Sequence, residues 1–381
     1  MKFTISLLFL FLLSLLACTS TDANLNTQKI EKLLDQLIIK KSSVGIDWRM
    51  EVDTVIAVNK HFGFSNYETK RPLNQDSKFR IASITKPFTA TAILQLVEKK
   101  QLSLTDRINK FFPDFPNGDN ITIYHLLSHT SGIPNWWEGE MPKSEPANFP
   151  MCETPHLYLQ QMKKLELFQP GEAFSYSNSG YVLLGEIIEL ISKMKYDKYL
   201  KKNIFQLAGM INTEMEYIED PQDNWVKGYI SKPNDAKIFS KPDIYHMPFA
   251  AGGLRSTAED LLLFINALEM GKLVRMKTFL EMTNYAKLDN GKFVYENLYS
   301  PEGTTINFPS NIKKFGYGLG FQIVENYNKK VISHGGDIAG FNSVLIYIPH
   351  NKVKMAILSN TENGILSELQ SIEQLAVSIV D

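Results

Sequence analysis

Ser83 and Lys86 stand three residues apart in F-R-I-A-S-I-T-K-P-F-T-A, residues 79–90, just ahead of a run with helical spacing. A serine hydroxyl is a poor nucleophile unless a neighbouring base takes its proton. A lysine serves as that base only where burial lowers its pKa. A spacing of three places both side chains on one helix face. Pro87 puts the helix start close to Ser83, because proline is best tolerated where backbone N–H groups lack intrahelical partners. Those N–H groups and the positive end of the helix dipole favour negative charge near the serine. The plainer alternative is an N-cap serine followed by a solvated lysine. The pattern S-x-x-K does not decide alone, since it recurs at Ser192–Lys195, inside an apolar helix, and at Ser310–Lys313, in a loop-like tract.

Two other stretches carry groups of the right kind. Tyr176-Ser177-Asn178 sits in a polar loop directly before a helix, whereas a second Y-x-N at Tyr295–Asn297 lacks that setting. A tyrosine beside an ammonium loses its proton more easily and can relay it to a leaving group. Its alternative is a turn tyrosine packed on the core. His334-Gly335-Gly336 follows the strand-like K-V-I-S. Two glycines there let a substrate backbone approach closely, and the histidine can donate to a carbonyl or anion. Its alternative is a tight turn with a surface histidine. His61-Phe62-Gly63 also fits H-x-G but with one glycine. His125 and His129, four apart on a short helix, have a zinc-ligand spacing, yet Leu126 stands where a metalloprotease carries glutamate.

These residues need rigid elements around them. Ile30, Leu33, Leu34, Leu37 and Ile38 recur at helical spacing, and β-like runs follow near residues 44–48 and 54–58. A helix containing Ile93, Leu94, Leu96 and Val97 follows Ser83. From about residue 101 prolines and aromatics alternate with short helical pieces, and a strongly apolar helix starts near Tyr181. Another amphipathic helix runs to about Met270. Y-G-L-G-F-Q-I-V, K-V-I-S-H, S-V-L-I-Y-I-P and V-K-M-A-I-L-S-N then read as consecutive antiparallel strands, capped by a helix over about 366–380. The fold class expected is α+β: an antiparallel sheet flanked by helices, formed by residues 30–100 plus 245–381, with a mainly helical domain of residues 101–244 inserted. A cleft between the two is the default ligand site, shaped by loops at 135–155 and 285–312.

Composition narrows the class. The chain has 381 residues, 44% hydrophobic and 21% charged, with a formal net charge of −1. No global field recruits nucleic acid or acidic membrane, and no basic run or nucleic-acid motif occurs. Lys2 precedes an apolar stretch over residues 5–17 broken only by Ser6 and Ser14. It falls short of the ~20 residues a transmembrane helix needs and suits a signal h-region. Leu15-Leu16-Ala17-Cys18 resembles a bacterial lipobox. Residues 1–17 are then a signal peptide, Cys18 carries lipid, and residues 18–29 tether the chain to a membrane of the bacterial envelope. Cys152 would have no disulfide partner.

Taken in order, F-R-I-A-S-I-T-K-P-F-T-A, I-T-I-Y-H-L-L-S-H-T-S-G-I-P, F-Q-P-G-E-A-F-S-Y-S-N-S-G-Y-V-L-L-G, A-A-G-G-L-R-S-T-A-E-D-L and G-Y-G-L-G-F…S-H-G-G…G-F-N-S resemble the serine β-lactamase and penicillin-binding superfamily. The nearest branch holds class C β-lactamases, D-Ala-D-Ala carboxypeptidases, D-aminopeptidases and related esterases. The resemblance implies that Ser83 is acylated and that Lys86 and Tyr176 share base and proton-relay work. It implies that Asn178 holds the substrate amide and steadies Lys86. It places His334, Gly335 and Gly336 on the sheet edge lining the cleft, with the N–H groups of Ser83 and Asp337 as oxyanion hole. It implies an ester, D-amino-acid peptide or other small-molecule or peptide substrate, and neither metal nor organic cofactor. The chain departs from the β-lactamase pattern, for it contains no Lys-Thr-Gly and no S-D-N. A histidine in place of that lysine is only partly charged at neutral pH, which argues against efficient β-lactam hydrolysis. A lipoprotein that binds penicillin weakly or acts as a sensor is the alternative. An α/β-hydrolase is disfavoured, because no G-x-S-x-G elbow occurs.

Overall fold

The computed structural model of the chain describes residues 25–135, 156, 159–160, 166–216, 223–231, 238–240, 249–298, 314–326 and 329–379. The signal segment, Cys18, Cys152, the Ser310–Lys313 pair, residues 136–155 of the first pocket-shaping loop and residues 299–312 of the second lie outside the described residues.

Helix α1 (residues 25–39) leads into strands β1 (Gly45–Val52), β2 (Val55–Asn66) and β3 (Arg71–Pro72). Strands β4 (Lys314–Tyr317), β5 (Gln322–Asn326), β6 (Lys329–Ile338), β7 (Phe341–Ile348) and β8 (Val353–Ser359) come from the C-terminal part. They form one eight-stranded sheet in the order β3-β2-β1-β8-β7-β6-β5-β4, with every neighbouring pair antiparallel. The N-terminal hairpin thus docks on the last strand, with Trp48 opposite Ile357.

Alternation along the strands splits the core in two. Val344, Ile346 and Ile348 of β7 and Met355 and Ile357 of β8 pack with Ile30 and Leu34 of α1 and with Ile372 and Ala376 of helix α6 (Leu369–Val377). Leu345, Ala356 and Leu358 face the other way, into a larger apolar cluster. That cluster is built by helices α2 (Thr85–Glu98), α3 (Ile123–Leu127), α4 (Asn178–Ser192) and α5 (Ala258–Glu269). Both faces are covered, which is why β7 and β8 read as nearly continuous apolar runs despite antiparallel pairing. Ile108, Phe112, Ile123 and Tyr181 from the expected helical insert share this cluster with Phe88 of α2 and Phe264 of α5.

The α+β architecture matches the expectation, but one strand divides. Y-G-L-G-F-Q-I-V reads as a single strand, whereas β4 ends at Tyr317 and β5 begins at Gln322. Gly318 passes so close to the backbone that a Cβ there would lie 2.1 Å from the Met282 carbonyl oxygen. The Gly318 N–H bonds back to Phe321 O at 2.9 Å, closing a turn that makes β4 and β5 a hairpin. The terminal helix also starts differently, with a 3₁₀ turn at Leu366–Glu368 before α6.

Candidate active site

Ser83 lies in a 3₁₀ turn, Ala82–Ile84, immediately before α2. Ala82 before it has φ of +46°, a conformation that an L-residue adopts only under constraint. The constraint is visible on both sides. The Ile81 N–H bonds to Leu254 O at 3.0 Å, and Ser343 Oγ lies 3.2 Å from the carbonyl oxygens of both Ile81 and Gly336. Gly336 presses on the same carbonyl: a Cβ there would meet Ile81 O at 2.1 Å. Strand β6 therefore abuts the serine turn only because residue 336 has no side chain.

Lys86 is in the first turn of α2, with no exposed surface. Its Nζ stands 3.1 Å from Ser83 Oγ, 2.6 Å from Asn178 Oδ1 and 2.7 Å from Ala251 O. All three acceptors are neutral. Burial therefore holds the amine well below the usual lysine range. The Tyr176 ring, 4.7 Å from Nζ, favours the cation and works against that shift. Two acceptors, Asn178 and Ala251, hold two N–H vectors, so the third direction of the amine lies along Ser83.

Ser83, Tyr176 and Asn178 are each partly exposed between buried neighbours, and so face a common accessible space. Burial pushes the Tyr176 phenol well above the usual value and outweighs the lowering influence of Ser83. This differs from the sequence reading, in which the nearby ammonium eases proton loss; desolvation of the phenolate wins. Tyr176 is thus a protonated phenol beside the Ser83–Lys86 pair. Asn178 begins α4, where Ser177 caps Gly180 N at 3.4 Å.

His334 departs from its expected part as a donor to ligand. It is 1% exposed, and both ring nitrogens are taken. Nδ1 lies 2.7 Å from Gly335 O, which can only accept, so Nδ1 carries the proton. Nε2 accepts from the Tyr317 hydroxyl at 2.9 Å. Burial, and next the charge on Lys86, push this imidazole down to about 3. A neutral, internally satisfied ring is the result. Gly335 is part-exposed with open space around it, and Asp337 is exposed. Beyond Ser333, which pairs with Gln322, β6 has β7 on one side and no strand on the other among the described residues.

The remaining motif copies fall elsewhere. Ser192 ends α4 and its hydroxyl accepts from Met194 N at 3.2 Å. Asn297 backs the 172–174 segment through Glu172 O at 2.9 Å. His61 pairs with Asp47 at 3.0 Å within the sheet. The two spaced histidines diverge: His125 caps its helix through Thr122 and reaches Asp289 at 3.2 Å, while His129 is buried among Tyr176, Tyr181 and Tyr317. No group of three candidate metal ligands occurs among the described residues.

Sequence reasoning missed Asn135, Ala251, Tyr317 and His129 as parts of the site. Asn135 Oδ1 accepts both Asn178 N at 2.7 Å and Asn178 Nδ2 at 3.1 Å, which orients the Asn178 amide with its oxygen on Lys86. Three of these four lie within stretches whose family resemblance was legible, and Asn135 follows one directly; none had a role readable from residue type.

Residues 30–376 match the family model described as Beta-lactamase, and the chain belongs to that family. It is 28% identical over 320 residues to penicillin-binding protein 4* of Bacillus subtilis (strain 168), covering 81% of this chain and 66% of that one. It is 29% identical over 309 residues to the putative penicillin-binding protein PbpX of the same organism, covering 81% and 68%. The chain thus spans about two thirds of the length of these curated relatives. Among solved structures it resembles the octameric penicillin-binding protein homologue from Pyrococcus abyssi, with a TM-score of 0.72, 29% identity, and coverage of 91% and 77%. D-amino acid amidase from Ochrobactrum anthropi SV3 shares the fold, with a TM-score of 0.75 at 23% identity over 93% and 97% of the two chains.

Proposed function

We propose that the chain is a serine acyl hydrolase acting through a covalent acyl-enzyme on Ser83. The carrying observation is the buried Lys86 amine, 3.1 Å from Ser83 Oγ and held by neutral acceptors. In its neutral form the amine takes the Ser83 proton as Oγ bonds to the substrate carbonyl carbon. The oxyanion that forms is received by the N–H groups of Ser83 and Asp337, a contribution typically worth a few kcal/mol of barrier. As the scissile bond breaks, the Tyr176 phenol protonates the leaving group and regains a proton from Lys86. Water then attacks the acyl carbonyl and gives a proton to the same pair; the bond between the acyl carbon and Ser83 Oγ breaks, Oγ takes that proton back, and the acid product leaves. Asn178 steadies Lys86, Gly336 lets β6 abut the serine turn, and Gly335 gives the acyl chain room along β6.

The substrate class is an ester or a D-amino-acid peptide or amide. The neutral His334 supports this over efficient turnover of carboxylate-bearing β-lactams, since an imidazole already bonded on both nitrogens offers no cation to a carboxylate. We further propose that residues 101–244 are a mainly helical insert in a sheet domain of residues 30–100 plus 245–381. The N-terminus supports an exported envelope lipoprotein anchored through Cys18. No helix among the described residues is long and apolar enough to cross a membrane. The test of the chemistry is intact-mass spectrometry after exposure to a fluorophosphonate. One adduct on the wild type, absent from folded Ser83→Ala, is expected. An adduct that persists in Ser83→Ala would sink the mechanism.

A further inference from the structure

His129 is used by no step of that chemistry, yet it touches the segment that carries Tyr176 twice. Its carbonyl accepts Ser175 N at 2.9 Å and its ring Nδ1 accepts Ser177 N at 3.1 Å. Tyr176 lies between the two bonds, with its ring 4.4 Å from the His129 ring. The third contact comes from the same turn, where Asn135 Nδ2 reaches Tyr176 O at 3.4 Å. His129 has φ of +58°, and from that left-handed conformation ring and carbonyl reach the same strand of chain.

Chemistry fixes the tautomer. Nδ1 receives an N–H, so the proton is on Nε2. That nitrogen is buried and has no hydrogen-bond partner among the described residues. It lies among aromatic faces, with Tyr317 edge-on at 4.6 Å. A phenylalanine would fill this apolar box without the cost of an unpaired buried polar atom. Packing therefore does not account for histidine here, whereas the Nδ1 acceptor does.

We infer that His129 is a positioning residue: through Nδ1 it holds the 175–177 segment so that the Tyr176 phenol points at Ser83. The inference rests on the proposed part of Tyr176 as proton donor. It does not make His129 a base.

Two substitutions separate holding from filling. In His129→Asn, Oδ1 stands where Nδ1 was, and asparagine tolerates a left-handed backbone. His129→Phe keeps the aromatic volume and removes the acceptor. The readout is phosphonylation of Ser83 by diphenyl methylphosphonate, whose phenoxide leaving group needs a proton and which requires no turnover. We expect His129→Asn to label within about threefold of wild type. We expect His129→Phe to lose on the order of 10–100-fold in the maximal labelling rate, part of the ~10²–10⁴ that positioned proton transfer contributes. Half-saturation should stay within about threefold, since ground-state binding is untouched. In a Tyr176→Phe background, His129→Phe should cost less than about threefold, because residues acting as a unit are not additive.

Each other outcome overturns the inference. If His129→Phe labels as well as His129→Asn, or if its loss adds in full to that of Tyr176→Phe, His129 does not act through Tyr176. If His129→Phe fails to fold, a large loss in folded His129→Asn alone is enough to reject it. A wild type that never labels, or a Tyr176→Phe that labels normally, removes the underlying proposal and this inference with it. Labelling that needs Tyr176 but shows additive losses removes this inference alone.

Discussion

Tyr317 Oη stands 2.9 Å from His334 Nε2, and the direction of that bond settles what this strand offers a ligand. Because Nδ1 is already a donor to Gly335 O, the hydroxyl must donate and Nε2 must accept. The family resemblance sets His334 at the position of the β-lactamase lysine. The fold then denies it a charge, by burying it beside Lys86.

A neutral acceptor can be imitated by an amide. In His334→Gln the side-chain oxygen can take the Tyr317 hydroxyl but cannot titrate. Burial depresses the folded pKa of His334 to about 3, against 6.5 unfolded. The unfolded chain therefore binds a proton that the folded chain refuses between those values, and stability falls as pH drops below about 6.5. The expected result is that His334→Gln keeps its hydrolytic rate at neutral pH within about tenfold while its melting temperature falls less steeply in acid, since the titrating group is gone. An acid profile identical to wild type, measured by calorimetry from pH 7 to 4, would count against the neutral assignment.

Lys86 makes a parallel prediction with its own sign. Burial places its folded pKa well below 10.5, so between the two values the folded chain releases a proton that the unfolded chain keeps. Stability then rises with pH across that window and levels off above about 10.5. Activity should rise on the acid side with an apparent pKa below that of free lysine, as the neutral amine becomes available. Lys86→Arg, which cannot deprotonate, should lose on the order of 10³-fold or more, in the range that acid–base groups supply. A Lys86→Arg variant with near-native rate and an unchanged pH profile would remove lysine from the base role.

The protonated state of Tyr176 predicts a dependence on leaving group. Burial keeps its phenol above the usual value, so it enters the reaction holding a proton to give. A nitrophenolate leaves without help, whereas an alkoxide or amine does not. Tyr176→Phe should therefore cost little with p-nitrophenyl acetate, more with phenyl acetate, and on the order of 10²–10⁴-fold with an alkyl ester or amide. Steady-state rates across that series test it; a loss equal for all leaving groups would assign Tyr176 to binding instead.

The legible parts of this chain were those where several short motifs stood in one order and each carried side chains of the right chemistry. The resemblance pointed to Ser83, Lys86, Tyr176 and Asn178, and the structure sets them side by side; the alternating strands of the C-terminal part assemble into the expected sheet. What could not be read was occupancy. Whether His334 Nε2 is a free donor or an occupied acceptor depends on Tyr317, 17 positions earlier in sequence and brought beside it by the β4–β5 hairpin. The same holds for Ala251, whose contribution to Lys86 is a backbone oxygen, which every residue type has. The split of Y-G-L-G-F-Q-I-V was hidden for a similar reason: the steric limit at Gly318 is set by Met282, from a different part of the chain.

Glu216 carries the last prediction, about the platform under the nucleophile. Arg80, three residues before Ser83, bonds its carboxylate through Nε at 2.9 and 2.7 Å and through an Nη at 2.7 Å; Arg255 adds a further bond of 2.7 Å. All three side chains are buried. Burial alone would raise the Glu216 carboxyl, but Arg255 and then Arg80 outweigh it and hold it below its ordinary value. Glu216→Ala removes the buried carboxylate that both guanidinium groups bond, a change of about 3–5 kcal/mol in unfolding free energy. Replacing all three, as in Glu216→Ala with Arg80→Met and Arg255→Met, should recover much of that loss, because the two buried cations leave together with their shared carboxylate. Urea titrations of the single and triple variants test this. A single variant within about 1 kcal/mol of wild type would show that the set does not anchor the Phe79–Arg80 strand on which the serine turn is built.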